Sequence, residues 1–292
     1  MLAAIDIGSN TVQMLTAAAA DGSLADRRNY LRTTRLGSGT DGRLASSAIA
    51  ETAAIVGEYL DELAARGVKQ VRILATSAVR DALNSGELLS AIAVAAPGAP
   101  KVEILNGDQE ARLSFLGARV SVEAPRHWPV ADQGGSSTEL IYDLTGRIET
   151  VSVNVGAVRA KANGWSREEI KKRLSRVVRR LTDADTIVGV GGSITTAAGL
   201  LAGLAEYRRE AIEGAELDYG GLDKLREELL PLTLPERCAY SPLLSSRGEI
   251  MEQGLDIWLS LLEILELRKI KVCGGGILDG AVAEMIGVKL CN

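Results

Sequence analysis

The chain has 292 residues, 46% hydrophobic and 24% charged, which suits two globular domains with separate cores. Its 38 acidic and 33 basic side chains leave a net charge of −5, which speaks against a general nucleic-acid binder, although a local patch or a metal can still draw a polyanion. His127 is the only histidine, and Cys238, Cys273 and Cys291 match no metal or redox spacing. Histidine-ligated zinc and Ser-His-Asp catalysis are therefore set aside, and base chemistry falls to Asp or Glu. Free thiols and an N-terminus without a signal-peptide pattern point to the cytoplasm.

The first half reads as strands at about 2–7, 12–18 and 24–33, then a helix at about 46–66. Between the first two strands lies Asp6-Ile7-Gly8-Ser9-Asn10, a carboxylate at a strand end followed by a Gly/hydroxyl turn. A strand at 71–75 leads to a helix start near Ser77, whose N-terminus and Arg80 could bind an anion or leave a solvated arginine. After a strand at 102–105 comes a helix running to about Val120, expected to link the domains, with Glu110 in its first turn.

The second half opens with a fuller version of the same turn, Asp132-Gln133-Gly134-Gly135-Ser136-Ser137-Thr138-Glu139. Its glycines allow close backbone approach, and its N–H and hydroxyl groups could cradle a phosphate. Carboxylates beside such a cradle would repel phosphate unless a cation lay between them, which suggests Mg2+ on Asp132 and Glu139, with Asp6 as a further candidate. The repeat of the plan suggests duplication of a whole domain, with a ligand held in a cleft between two facing turns. Strands continue to about Val155, followed by Gly156 and Arg159. Residues 166–181 read as a helix, apolar through Ile170, Leu174, Val177, Val178 and Leu181 and basic on the other side. The basic side could track a long polyanion through Arg173, Arg176 and Arg180, or be a solvated face. A strand at 186–190 ends in Gly191-Gly192-Ser193, and the uncharged segment 187–205 reads as strand, turn and buried helix, not a membrane span. Helices at about 222–230 and 245–267, a strand at 270–273, the turn Gly274-Gly275-Gly276 and a helix at about 277–287 complete the chain, the last expected to return to the first domain.

Taken in order, these pieces resemble the exopolyphosphatase / guanosine pentaphosphate phosphohydrolase family in its short form, within the actin–hexokinase superfamily. The resemblance rests on Asp6 to Asn10, Thr76 to Arg80, Gly107 to Arg112, Asp132 to Leu140, Gly156 to Arg159, Gly191 to Thr196, and Leu232 to Arg237 followed by Ser246-Arg247. It implies an α/β fold of two ribonuclease-H-like domains, 1–120 and 121–292, with mixed sheets, flanking helices and an active-site cleft between them. It implies hydrolysis of a terminal phosphate, with Glu110 as general base and Asp132 and Glu139 tied to magnesium and catalysis. Expected phosphate contacts are Gly8, Ser9, Asn10, Arg80, Gly134, Gly135, Ser136, Ser137, Thr138, Arg159, Gly191, Gly192 and Ser193. The chain departs from the family pattern at Gln133, Ser136, Gln109, Tyr219 and Leu278.

The leading expectation is a magnesium-dependent phosphohydrolase acting on inorganic polyphosphate, with neither nucleic acid nor membrane as partner. Alternatives are guanosine pentaphosphate as substrate, a weakly active or non-catalytic binder of polyphosphate or alarmone, and a small-molecule kinase on the same fold. A homodimer stays open.

Overall fold

The computed structural model describes residues 1–20, 23–39, 41–125, 127–144, 147–180 and 182–288; Leu181 and Cys291 lie outside them. The described residues divide into two compact units, 1–120 with 277–288, and 121–276. In chain order the first contains β1 (Leu2–Ile7), β2 (Thr11–Ala20), β3 (Ser23–Thr33), α1 (Ser46–Ala65), β4 (Gln70–Ala75), α2 (Ser77–Arg80), α3 (Ser85–Ala95), β5 (Val102–Ile104) and α4 (Gly107–Arg119). The second contains β6 (Val130–Gln133), β7 (Thr138–Leu144), β8 (Arg147–Val153), α5 (Ala157–Ala162), α6 (Arg167–Ser175), β9 (Thr186–Val190), α7 (Gly192–Leu201), α8 (Arg209–Ile212), β10 (Glu216–Asp218), α9 (Tyr219–Leu229), α10 (Leu234–Tyr240), α11 (Met251–Ile264) and β11 (Lys269–Cys273). The last helix, α12 (Ile277–Met285), belongs to the first unit.

Both sheets follow one plan. The first has the order β3-β2-β1-β4-β5, antiparallel through the opening hairpins and parallel from β1 to β4 and β5. In the second, β8-β7-β6-β9-β11 repeats that order and pattern, and β10 adds an antiparallel strand at the far edge. Asp26, with φ 47°, and Arg27 face a single partner position near Ala17, where the β2–β3 register shifts. This is a β-bulge that bends the ribbon.

The first sheet is buried on both faces because its strands alternate two apolar sets. Ala3, Ile5 and Ile7 pack with Ile49 and Val56 of α1 and Leu88 and Ile92 of α3. Leu2 and Ala4 pack on the other face with Leu113 of α4 and Leu278, Ala281 and Val282 of α12. The period of two places Asp6 on this second face, at the end of the strand. In the second unit, Ala131, Leu140 and Tyr142 join Ile194 of α7 and Leu255, Trp258 and Leu262 of α11 in one core. Asp132 and Glu139 fall on the opposite phase of their strands.

Parallel pairing puts the C-terminal ends of β6, β9 and β11 at one end of their sheet, each followed by a glycine turn. The same end of the first sheet carries the Gly8 turn, Ser77–Arg80 and the start of α4. Ligands of open α/β sheets bind outside the C-terminal ends of parallel strands, so function is sought there.

Several elements differ from the expectation. The basic segment is helical only from Arg167 to Ser175, Arg176 being its cap, so Arg173, Arg176 and Arg180 do not share one helix face. Val177 is exposed, while Ile170, Leu174 and Val178 are buried as predicted. The helix expected from 245 begins at Met251, because a 3-10 turn at Pro242–Leu244 and further turns precede it. Among the described residues no helix is long and apolar enough to cross a membrane.

Close approach of α12 to α4 depends on Gly280, where an added Cβ would lie 1.9 Å from the Leu113 carbonyl oxygen. Gly280→Leu is expected to lower stability by about 1–3 kcal/mol or more through forced separation of the two helices. Urea denaturation of the intact chain measures this, and an unchanged midpoint would contradict the contact.

Candidate functional site

The two acidic turns are built alike. Gly8 N–H donates to the Thr11 carbonyl at 3.0 Å, and Gly134 N–H donates to the Ser137 carbonyl at 2.9 Å. In each, the aspartate stands two residues before the glycine, as the penultimate residue of its strand. The surroundings brace both. Thr34 and Arg35 N–H groups bond the Asn10 carbonyl, and Gly37 N–H bonds the Ser9 carbonyl. On the second turn, the N–H groups of Ala157 and Arg159 take the carbonyls of Gly134 and Gly135, and Arg159 Nε takes that of Ser136 at 2.8 Å. Thr138 Oγ1 donates to the Val155 carbonyl at 2.6 Å, turning its hydroxyl to structural use.

Three carbonyls of the Gly134–Ser136 stretch are thus committed to α5 and Arg159, while the N–H groups of Gly135, Ser136 and Ser137 have no protein acceptor among the described residues. Such a run of outward donors is an anion-binding concavity. Gly156 makes the brace fit, since a Cβ there would come within 2.5 Å of the Gly135 carbonyl and the Ser136 nitrogen.

Beside this turn, Asp132 and Glu139 are direct cross-strand partners. Side chains so paired leave the same face with Cβ atoms about 4.5–5.5 Å apart. Glu139 is 3% exposed and accepts from Ser152 Oγ at 2.9 Å. The corresponding register in the first unit pairs Asp6 with Gln13, so an amide stands where the second unit has its second carboxylate. Two hard oxygen donors on one face suit magnesium, which seldom takes an all-protein cage. Among the described residues no group of three or more His, Cys, Asp or Glu forms a fuller ligand set.

Glu110 is buried in the first turn of α4, and Arg80 Nη1 donates both to its Oε1 and, at 2.7 Å, to the Leu105 carbonyl. The pair joins the short helix after β4 to the helix after β5. Asn106 and Gln109 close a capping box at 2.9 Å in each direction, which fixes the turn that carries Glu110. Gln109 therefore has a structural task at the position where the sequence departs from the family pattern.

One residue of the second unit received no role from sequence. Arg247 lies on the turn before α11, and its guanidinium rests on Gly192, where a Cβ would stand 1.8 Å from Cζ. No protein acceptor or carboxylate bonds that guanidinium among the described residues, and burial pushes its pKa down to about 10. It remains a cation at neutral pH, without a counter-charge among the described residues, placed over the N-terminus of α7 at Gly191–Ser193. Gly191 adopts φ 117°, and a Cβ there would meet the Gln133 carbonyl at 2.4 Å. Ser193 is buried against Gly254 of α11. Arg247 is 55 positions from Gly192 in sequence (247 − 192), so no local spacing could have joined them.

The basic segment, by contrast, is largely neutralised. Arg167 bonds Asp223, Tyr219 and Glu263, and Lys171 pairs with Glu263. Arg173 pairs with Glu169 and stacks on Trp165, and Arg180 pairs with Glu266. Arg167, Lys171, Arg173 and Arg180 are thus each held by an acidic neighbour. Tyr219 donates to Glu263 at 2.7 Å in this network.

Comparison with known proteins matches the Ppx/GppA phosphatase family over residues 17–288. Exopolyphosphatase 2 of Mycobacterium tuberculosis is 30% identical over 98% of both chains. The crystal structure of the Aquifex aeolicus Ppx/GppA family member superposes with a TM-score of 0.81 at 29% identity, covering 98% of this chain and 97% of that one. An exopolyphosphatase from Cytophaga hutchinsonii, at 22% identity, shares the fold with a TM-score of 0.87 over 100% and 99% of the chains.

Replacing Arg80 by Met removes the cation that donates to the buried Glu110 carboxylate. The expected loss of folding stability is about 1–3 kcal/mol. A chemical denaturation curve equal to that of the parent would show that the pair holds nothing together.

Proposed function

Given that this chain belongs to the Ppx/GppA phosphatase family and is a phosphoanhydride hydrolase, we propose that it releases the terminal phosphate of inorganic polyphosphate with magnesium bound. The observation that carries the reading is the Asp132–Glu139 cross-strand pair beside the outward N–H groups of Gly135 to Ser137. Donors and carboxylates side by side make sense when a cation and a phosphate share the place. Similarity to an exopolyphosphatase along nearly the full length of both proteins supports polyphosphate as the substrate. Guanosine pentaphosphate is the second reading, favoured by a family that carries both activities in its name.

In this proposal the turn N–H groups and Arg247 of the second unit hold phosphoryl oxygens. Glu110, kept in place by Arg80 and by the capping box beneath it, orients a water and takes its proton. Magnesium, held by Asp132 and Glu139, would supply positive charge against the phosphate oxygens. Gly8, Ser9, Asn10 and Asp6 form the equivalent turn of the first unit. The free thiols of Cys238 and Cys273 fit the cytoplasmic location we propose.

Glu110→Gln is expected to keep fold and substrate binding while lowering turnover roughly 10²-fold or more. Near-parental turnover in the folded variant would remove Glu110 from the chemistry. Asp132→Asn should shift the magnesium titration to higher concentration and lower activity with it, since a neutral amide is a poorer ligand for a hard cation. An unchanged titration would contradict metal ligation there. Phosphate release from polyphosphate and from guanosine pentaphosphate, side by side with and without magnesium, decides the substrate. Faster release from the nucleotide would favour the second reading.

A further inference from the structure

We propose that Arg237 is a positioning residue for phosphate binding, holding the turn that sets the Arg247 guanidinium over Gly192. The proposal rests on the phosphate-binding role given above to Arg247.

Arg237 sits in α10 and is 7% exposed. A buried arginine is costly unless its donors are taken up. Here they reach three elements. Nε donates to the Leu229 carbonyl at the end of α9 at 3.1 Å, Nη1 to the Gly248 carbonyl at 2.8 Å, and Nη2 to Glu252 Oε2 in the first turn of α11 at 3.4 Å. The middle contact is the informative one, because Gly248 directly follows Arg247.

The turn around that contact has little slack. The N–H groups of Arg247 and Gly248 both donate to the Leu244 carbonyl, at 3.2 and 2.6 Å, and the Arg247 carbonyl accepts from Ile250 N–H at 2.9 Å. A Cβ on Gly248 would lie 2.8 Å from the Leu244 oxygen. Arg237 thus fixes one peptide group of a tight turn from beneath, while the side chain of the preceding residue projects onto the bare Cα of Gly192. Glu252 balances the charge of Arg237, so its own cation is spent inside the fold. Arg247 has no such balance among the described residues and is the one presented to an anion. A guanidinium carried on a turn without this brace would spread over several rotamers, and the phosphate would have to order it on binding.

The test is a double-mutant cycle on the full chain with Arg237→Gln, Arg237→Lys and Arg247→Gln. Two readouts are used: steady-state hydrolysis of polyphosphate, and calorimetric binding of tripolyphosphate without magnesium. Arg237→Gln is expected to raise KM and weaken tripolyphosphate binding by roughly tenfold while changing kcat less than about twofold. Arg237→Lys should retain part of the function, with a rise of about threefold, because one donor can still reach the Gly248 carbonyl. Either substitution added to Arg247→Gln should cost nothing more, since its effect passes through Arg247. Independent, multiplying effects would overturn the proposal, as would a fall in melting temperature with KM and binding unchanged. Should Arg237→Gln not fold, the Arg237→Lys cycle is judged by the same criterion. Absence of hydrolysis in a parent protein that binds tripolyphosphate through Arg247 would defeat the proposed function alone, and the binding cycle would then decide the role of Arg237. Failure of the parent to bind tripolyphosphate would overturn the positioning role as well.

Discussion

Two carboxylates opposite one another in a strand ladder repel, and Asp132 and Glu139 occupy that arrangement beside a turn whose N–H groups face outward. An ordinary hairpin gains nothing from this pairing. Much of the second unit makes sense as a means of holding it. Ser152 donates to Glu139 from the third strand, α5 takes up the turn's carbonyls, and Gly156 gives α5 the space to do so. The core on the other face of β6 and β7, from Ala131 to Trp258, keeps the two strands in register. A one-residue slip would send both carboxylates into that core.

The first unit shows what the plan looks like when its chemistry is divided differently. It has the same strand order, the same glycine-closed turn and the same penultimate aspartate, but Gln13 faces Asp6. A further buried carboxylate of this unit, Glu110, stands on α4, after β5, and is matched by Arg80 from the helix after β4. The two units share one scaffold, and side-chain choice at equivalent register positions makes them unequal.

Features carried by short local patterns were legible in the sequence. The strand-turn-strand units at Asp6 and Asp132, the start of α4 before Glu110 and the strand before Gly191 are all written within about ten residues. What was illegible depends on tertiary contact. The basic stretch after Ser166 looks continuous by periodicity, yet the helix ends at Ser175, and Arg167 and Arg180 are drawn to Glu263 and Glu266 from elsewhere in the chain. Arg247 meets Gly192, and Arg237 meets Gly248, through turns whose shape no hydrophobic period encodes. Gln109 looked like an erosion of a catalytic pattern, and its hydrogen bonds to Asn106 show a capping residue.

The β-bulge in the β2–β3 ribbon has a consequence at the rim of the first sheet. β3 is an edge strand of 11 residues, long enough to template the addition of another chain. Asp26 and Arg27 break its regular ladder, and the strand carries Arg28 and Arg32 as well. Arg27 is tied to Asp279 and Arg32 to Glu58, so side chains from neighbouring helices anchor a charged border. A second strand approaching this rim would have to match an interrupted ladder and displace those charges. The same irregularity that bends the ribbon thereby protects the protein against edge-to-edge aggregation.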